Sequence, residues 1–310
     1  YGESYGTMRN SVLMRVLGER GIAVTGVIEQ STILDYAPTL PGNDLYYMGM
    51  LPVYAATANY FGKAGKGKDQ FKWFDKAWAF VDEKYGAALI KSDTISAAEE
   101  SALAKEMSEL IGIDADIIQK KHLRIELDTF RKLLLADEGL FIGRYDTRFT
   151  EGAYMDVQGD NEFFAGEDPS YDAINAAYLD VYMKMLGDIG FKGYANYEGL
   201  SMKVNESWNW NHQAPGTMGS PQTPNVAFDI ATALRRNPTS RILFFGGIHD
   251  AATPYWNVRH DMGKLFLPQA LKDRIEYYVH SNGHMLYCDQ VALEAAGPEL
   301  KAFYEKRHEQ

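Results

Sequence analysis

Three residues far apart in the chain could together perform acyl-transfer chemistry: Ser4, Asp250 and His284. Ser4 lies in Gly2-Glu3-Ser4-Tyr5-Gly6, a Gly-x-Ser-x-Gly pattern in which a sharp strand-to-helix turn holds a serine hydroxyl above a sheet edge. Glycine on either side removes Cβ atoms expected to clash in so tight a turn, and the serine itself is expected in a strained conformation. A serine hydroxyl is a weak nucleophile until an imidazole takes its proton, and that imidazole needs a carboxylate to fix its tautomer. Both follow in the order serine, acid, histidine. Asp250 stands in Gly246-Gly-Ile-His-Asp-Ala-Ala-Thr-Pro254, and His284 in Asn282-Gly-His-Met285. The backbone N–H of Tyr5, directly after the serine, is an oxyanion donor in waiting. Singly, each signal has a plainer explanation. The glycine–serine pattern recurs by chance, an aspartate after a strand commonly caps a turn, and a histidine beside glycine is commonly an ordinary loop or core residue. Order and placement together carry the reading.

Those side chains need strands to aim them. Met8, Val12, Leu13, Val16 and Leu17 recur at helical spacing after the serine, and Ile22–Ile28 reads as a buried strand. Asp35, Pro38, Pro41 and Gly42 then break regular structure. From about Asn43 to Asn211 the texture is helical: Phe74–Ile90, then Ser96–Gly112 with a capping-box pair in Ser96 and Glu99, then Asp114–Ala136. Pro169–Leu186 has Asp168 as its cap and one apolar face of Ile174, Ala177, Tyr178, Val181, Tyr182 and Met185. Strands resume at Ile242–Phe245, running into Gly246-Gly247, and at Ile275–His280, with a helix from Pro254 between them. A closing helix is expected to be interrupted at Gly297-Pro298. Strand, helix, strand, helical insert and two further strand–helix units describe the C-terminal half of an α/β-hydrolase fold. The core is expected over 1–42 and 212–310, with a cap domain over 43–211. Because only three residues precede Ser4, too few for a full entering strand, the chain reads as the C-terminal part of a longer protein.

Composition narrows the function classes. The 310 residues carry a formal charge of −11, and no basic stripe suits nucleic acid. No run of 18 apolar residues suggests a membrane span. The single cysteine, Cys288, allows no intrachain disulfide and no four-cysteine zinc site.

With these residues in view, the chain resembles the serine carboxypeptidases of the S10 peptidase family, its bacterial members in particular. The matching segments are Gly-Glu-Ser-Tyr-Gly at 2–6, Ser31-Thr-Ile-Leu-Asp35, Gly42-Asn-Asp-Leu45 running into Leu51-Pro-Val-Tyr-Ala-Ala-Thr57, Ile142-Gly-Arg-Tyr-Asp-Thr-Arg148, Asp250-Ala-Ala-Thr-Pro254 and Gly283-His-Met285. The resemblance implies release of single residues from peptides with a free C-terminus, through an acyl-enzyme on Ser4, with His284 as base and Asp250 as its partner. It implies no metal or other cofactor, and a periplasmic or secreted location. Glu3 is implied to bind the substrate's terminal carboxylate as part of an acid cluster that works when protonated. A neutral carboxyl can donate a hydrogen bond to an anion, whereas an ionised one repels it. Met285 is implied to line the pocket of the leaving residue, plain packing being the other reading. Thr7 departs from the glycine usual after Gly6 in eukaryotic members, and their disulfides are missing. The loop that supplies a second oxyanion donor belongs upstream of the elbow, so the isolated chain is expected to be inactive. Two other functions fit the same residues: another esterase or acyltransferase on this scaffold, and a non-catalytic binding protein.

Other patterns carry less. Gly62-Lys-Ala-Gly-Lys-Gly-Lys68 has P-loop spacing but Asp69 where a hydroxyl should hold magnesium, and reads as a solvated loop. His280 and His284 are four apart, but Ser281-Asn-Gly283 between them is turn chemistry, which separates them as zinc ligands. His249 reads as a loop residue. Asp156, Asp160, Asn161, Glu162, Glu167 and Asp168 lack calcium-loop spacing, and Asn205-Glu-Ser207 is a glycosylation sequon. Trp208, Trp210, Tyr194 and Tyr197 read as core packing or as a wall of the cleft between cap and sheet.

Overall fold

In the computed structural model, which describes residues 1–39, 42–152, 168–193, 196–199, 201–218 and 223–306, a two-residue strand β1 (Gly2–Glu3) turns at Ser4 into α1 (Tyr5–Glu19). The chain returns through β2 (Gly26–Gln30) and enters a helical stretch of α2 (Asp44–Tyr60), α3 (Gln70–Phe80), a π-helical turn (Val81–Tyr85) and α4 (Gly86–Lys91). Next come α5 (Ala97–Ile111), α6 (Ala115–Lys120), α7 (Leu127–Leu133) and a hairpin of β3 (Leu140–Ile142) and β4 (Thr150–Gly152). After α8 (Pro169–Asp188) and α9 (Met202–Glu206), the pattern alternates: α10 (Ala227–Arg236), β5 (Arg241–Gly247), α11 (Tyr255–Gly263), α12 (Gln269–Lys272), β6 (Ile275–His280) and α13 (Gln290–Glu305).

One parallel sheet, in the order β1-β2-β5-β6, organises the molecule. Its register pairs Glu3 with Gln30, Gln30 with Phe245, and Gly247 with His280. Parallel strands need helical crossovers, so helices cover both faces and β5, one of the two central strands, is apolar after Arg241. All of β5 is buried, and its side chains alternate between two cores. Ile242 and Phe244 pack with Met8, Met14, Ile230, Leu234 and Val258 on one face. Leu243 and Phe245 pack with Ile28, Leu286, Ala296 and Phe303 on the other.

The helical stretch has its own core. It gathers Leu51, Tyr54, Phe80, Tyr85, Leu103, Met107, Ile111, Ile118 and Phe130, and reaches Ala251 and Trp256 beyond the carboxyl end of β5. Tyr54 and Phe130 stack with ring centroids 4.0 Å apart. Nearly every α2 residue from Tyr47 to Asn59 is buried, as expected of a helix apolar on all sides. This helix, which contains Pro52, and the β3–β4 hairpin are two elements that periodicity does not single out.

Several boundaries differ from expectation. The strand expected from Ile22 begins only at Gly26, because pairing starts where β5 begins, with the Arg241 N–H donating to Thr25 O. The helix expected at Phe74 begins at Gln70, where the Asp69 side chain accepts from the Lys72 N–H. Its continuation to Lys91 runs through the π turn. The closing helix runs unbroken through Pro298. The carbonyl of exposed Glu294, which proline leaves without its helical donor, can turn to water. α8 forms where expected and is capped by Asp168, yet only Pro169, Ser170 and Leu186 are buried in it, and Tyr178, Val181, Tyr182 and Met185 are exposed.

Candidate active site

Ser4 is the whole turn between β1 and α1. Its backbone adopts φ 55° and ψ −126°, a strained region for a residue with a Cβ. Hydrogen bonds over-determine it: the Ser4 N–H donates to Gln30 O at 3.1 Å, and Ser4 O accepts from the Thr7 N–H at 3.0 Å and the Thr7 hydroxyl at 2.7 Å. Thr7 is fully buried and its oxygen also accepts from the Ile33 N–H. The Thr7 hydroxyl thus ties the turn to the loop after β2. A Cβ at Gly2 would lie 2.7 Å from Gly6 O, so glycine is required there; at Gly6 the space is open, and no clash explains that glycine.

In a parallel sheet the strand ends share one edge, where ligand sites of open α/β sheets collect. Ser4 follows β1 at that edge, Asp250 comes three residues after β5, and His284 four after β6. Asp250 is fully buried and fully satisfied. Its Oδ1 accepts from the N–H groups of Ala252 (2.8 Å) and Thr253 (2.9 Å). Its Oδ2 accepts from the Thr253 hydroxyl (2.7 Å) and from His284 Nδ1 (3.0 Å). Burial alone pushes this carboxyl's pKa up, but the His284 charge and these hydrogen bonds win, holding it below the ordinary value. Donation from Nδ1 to the carboxylate leaves Nε2 of the neutral ring as the acceptor.

Gln30 joins the two halves of the site. Its carbonyl holds the Ser4 N–H, and its amide donates to His284 O at 3.1 Å, beside the Ser31 hydroxyl at 2.5 Å. Among the described residues no hydrogen bond links Ser4 Oγ directly to His284. Such bonds are often long in unliganded sites and tighten around substrate. Gln30 is unremarked by sequence reasoning, and Ser31 and Thr253 stand out only as members of quoted segments, since polar side chains beside strand ends have many ordinary uses.

A strap from the helical stretch fixes the acid and the base together. In the loop between β3 and β4, Arg144 O accepts the Ala251 N–H (3.1 Å), Tyr145 O accepts the His284 N–H (2.6 Å), and the Thr147 N–H donates to His249 O (3.1 Å). The Tyr145 and His284 rings lie 5.2 Å apart. Gly283 permits this approach, because a Cβ there would meet the Tyr145 carbonyl and the Asp146 backbone. Arg148 locks the strap by bridging Asp146 (2.6 Å) and Asp289 (2.8 Å). The Asp168 carboxylate accepts from the N–H groups of Arg144 and Tyr145.

The remaining candidates surround this centre. Glu3 accepts a hydrogen bond from the Tyr287 hydroxyl at 3.2 Å. Burial raises its pKa; His284 and Tyr287 pull the other way, and Asp250 adds to the rise. Tyr5, at the first position of α1, has no backbone acceptor for its N–H among the described residues. Its ring meets Trp208 edge-on at 5.0 Å and Trp210 at 6.1 Å. Both tryptophans are exposed, so they do not fill a core. Tyr197 packs on Tyr182 instead, and Tyr194 lies outside the described residues. Met285 lines a small pocket with Phe149, Ile174, Cys288, Asp146 and Ser170.

His249 is fully buried, with Gln70 Oε1 at 3.0 Å from Nε2, and burial drives its pKa down to about 3. It is a neutral core histidine. His280 pairs with Glu299 at 2.8 Å, apart from His284. The 62–68 glycine–lysine segment forms turns between α2 and α3, and Asn205 is exposed in α9. The acidic run at 156–167 lies outside the described residues. Among the described residues no cluster of three or more His, Cys, Asp or Glu side chains could hold a metal, and no helix is long and apolar enough to cross a membrane. Comparison with protein-family models, curated proteins and solved structures gives no match to this chain.

Proposed function

We propose that this chain carries the catalytic residues of a serine-type carboxypeptidase built on an α/β-hydrolase fold, with 43–211 as its cap. One observation carries the proposal: a buried Asp250–His284 pair stands at the sheet edge where strained Ser4 turns from β1 into α1. Ser4 Oγ attacks the last peptide carbonyl as His284 Nε2 takes its proton, and Asp250 stabilises the imidazolium. The Tyr5 N–H donates to the oxyanion. Collapse of the intermediate breaks the C–N bond, with the proton passing from His284 to the leaving amine. Water, activated the same way, then hydrolyses the acyl-enzyme.

Carboxypeptidase specificity draws on Glu3 and on the family resemblance. Burial favours the neutral acid at Glu3, beside the nucleophile, and a neutral acid can donate to a terminal carboxylate. By the same resemblance we place the protein in the periplasm or outside the cell. Mass spectrometry of peptide digests by the natural full-length protein tests the proposal. Substrates should shorten one residue at a time from the C-terminus, amidation of that terminus should slow the reaction strongly, and Ser4→Ala should lower turnover by about 10⁶-fold. Internal cleavage, or trimming indifferent to amidation, would exclude the carboxypeptidase assignment.

A further inference from the structure

We propose that the Tyr287 hydroxyl is a second donor to the substrate's terminal carboxylate, acting beside the Glu3 acid; the inference rests on the carboxypeptidase reading above. Glu3 immediately precedes the nucleophile and Tyr287 lies three residues after the base, so their 3.2 Å contact spans the catalytic centre. The groups that act electrostatically on Glu3 are His284, Asp250, Tyr1, Tyr178, Tyr287 and Cys288. Among the described residues no lysine or arginine is one of them. An anion arriving here can be received by neutral donors. Two are at hand: the acid O–H of Glu3 and the phenol O–H of Tyr287.

The phenol is held in place while its side chain stays half-exposed. Its ring packs at 5.9 Å on that of Tyr178 from α8, whose own hydroxyl lies 3.6 Å from Cys288 Sγ. Without substrate the phenol donates to Glu3 Oε1. With a carboxylate present, rotation about the C–O bond redirects that hydrogen to the anion, while Glu3 keeps its proton and donates it as well. No proton changes owner, so the pair serves binding rather than chemistry. Packing of Tyr287 on Tyr178 also gives the exposed middle of α8 a contact beside the site.

The test compares Tyr287→Phe with the unaltered full-length protein on two substrates sharing one acyl group: a peptide with a free C-terminus, and an alkyl ester lacking a carboxylate. Loss of one charge-assisted hydrogen bond should lower kcat/KM for the free acid about 10- to 100-fold, mostly through KM. Ester hydrolysis and fluorophosphonate labelling of Ser4 should stay within about twofold, as a packing defect would not allow. The Tyr287 bond favours ionised Glu3, so its loss should also move the rise of KM at alkaline pH to higher pH. Equal loss on both substrates, or full discrimination retained in Tyr287→Phe, would overturn the role of Tyr287 and leave the carboxypeptidase reading standing. Unaltered protein that does not distinguish the substrates at all would overturn both.

Discussion

Asp250→Asn is isosteric, and the geometry dictates what it does. Oδ1 of Asp250 faces two backbone N–H groups, of Ala252 and Thr253, neither of which can reverse. The asparagine must therefore put its carbonyl oxygen there and turn its NH₂ toward the Thr253 hydroxyl and His284 Nδ1. The threonine can rotate to accept, but Nδ1 can accept only by giving up its hydrogen. That moves the imidazole proton to Nε2, where the base is needed. Loss of the working tautomer, together with loss of the charge that stabilises the imidazolium, should lower kcat about 10⁴-fold, or about 5 kcal/mol of barrier. The assay is turnover of a chromogenic ester near neutral pH, with ¹⁵N shifts of His284 reporting which ring nitrogen carries the proton. Turnover within about tenfold of the unaltered protein would refute this account of the pair, as would an unchanged tautomer.

The strap makes two further predictions. Arg148→Met leaves Asp146 and Asp289 facing each other without their cation, and should cost about 3 kcal/mol in chemical denaturation. Turnover should fall as well, because the Tyr145 carbonyl no longer holds the His284 N–H firmly. The pH dependence has a definite sign. Burial raises the pKa of Asp289, but N–H groups and Arg148 outweigh it and hold it below its ordinary 3.8, as Asp250 is held below its own. Folded pKa values below unfolded ones add stability that is complete above the unfolded value and lost as pH falls through the folded one. Stability should therefore drop as pH falls below about 4, and Asp289→Asn should flatten that drop in thermal melts.

What the sequence made legible was local. Ser96 and Gly112 bound α5 because a cap and a left-handed glycine act within a turn of the helix, the latter at φ 72°. β6 lies at Ile275–His280 because a short β-branched and aromatic run between turns has little else to be. The positions of Asp250 and His284 after strands followed from the same punctuation. Elements set by distant partners were not legible. β2 begins where β5 allows it, four residues later than its apolar run. Pro52 and an apolar surface on every side concealed α2, whose helicity comes from burial among other helices. The strap at 143–148 drew notice only as a family match, since carbonyls pointing at Ala251 and His284 leave no mark in residue type. Gln30 holds serine and histidine together with one carbonyl and one amide, and nothing in a lone glutamine signals that.

The central claim is that Ser4, His284 and Asp250 act as one line of proton transfer, although Gln30 is the link the structure draws between the first two. Fluorophosphonate treatment of the folded full-length protein, followed by peptide mass spectrometry, tests it most directly. A single adduct on Ser4 that disappears in His284→Ala is the expected result. An unlabelled Ser4, or labelling that persists without the imidazole, would contradict it.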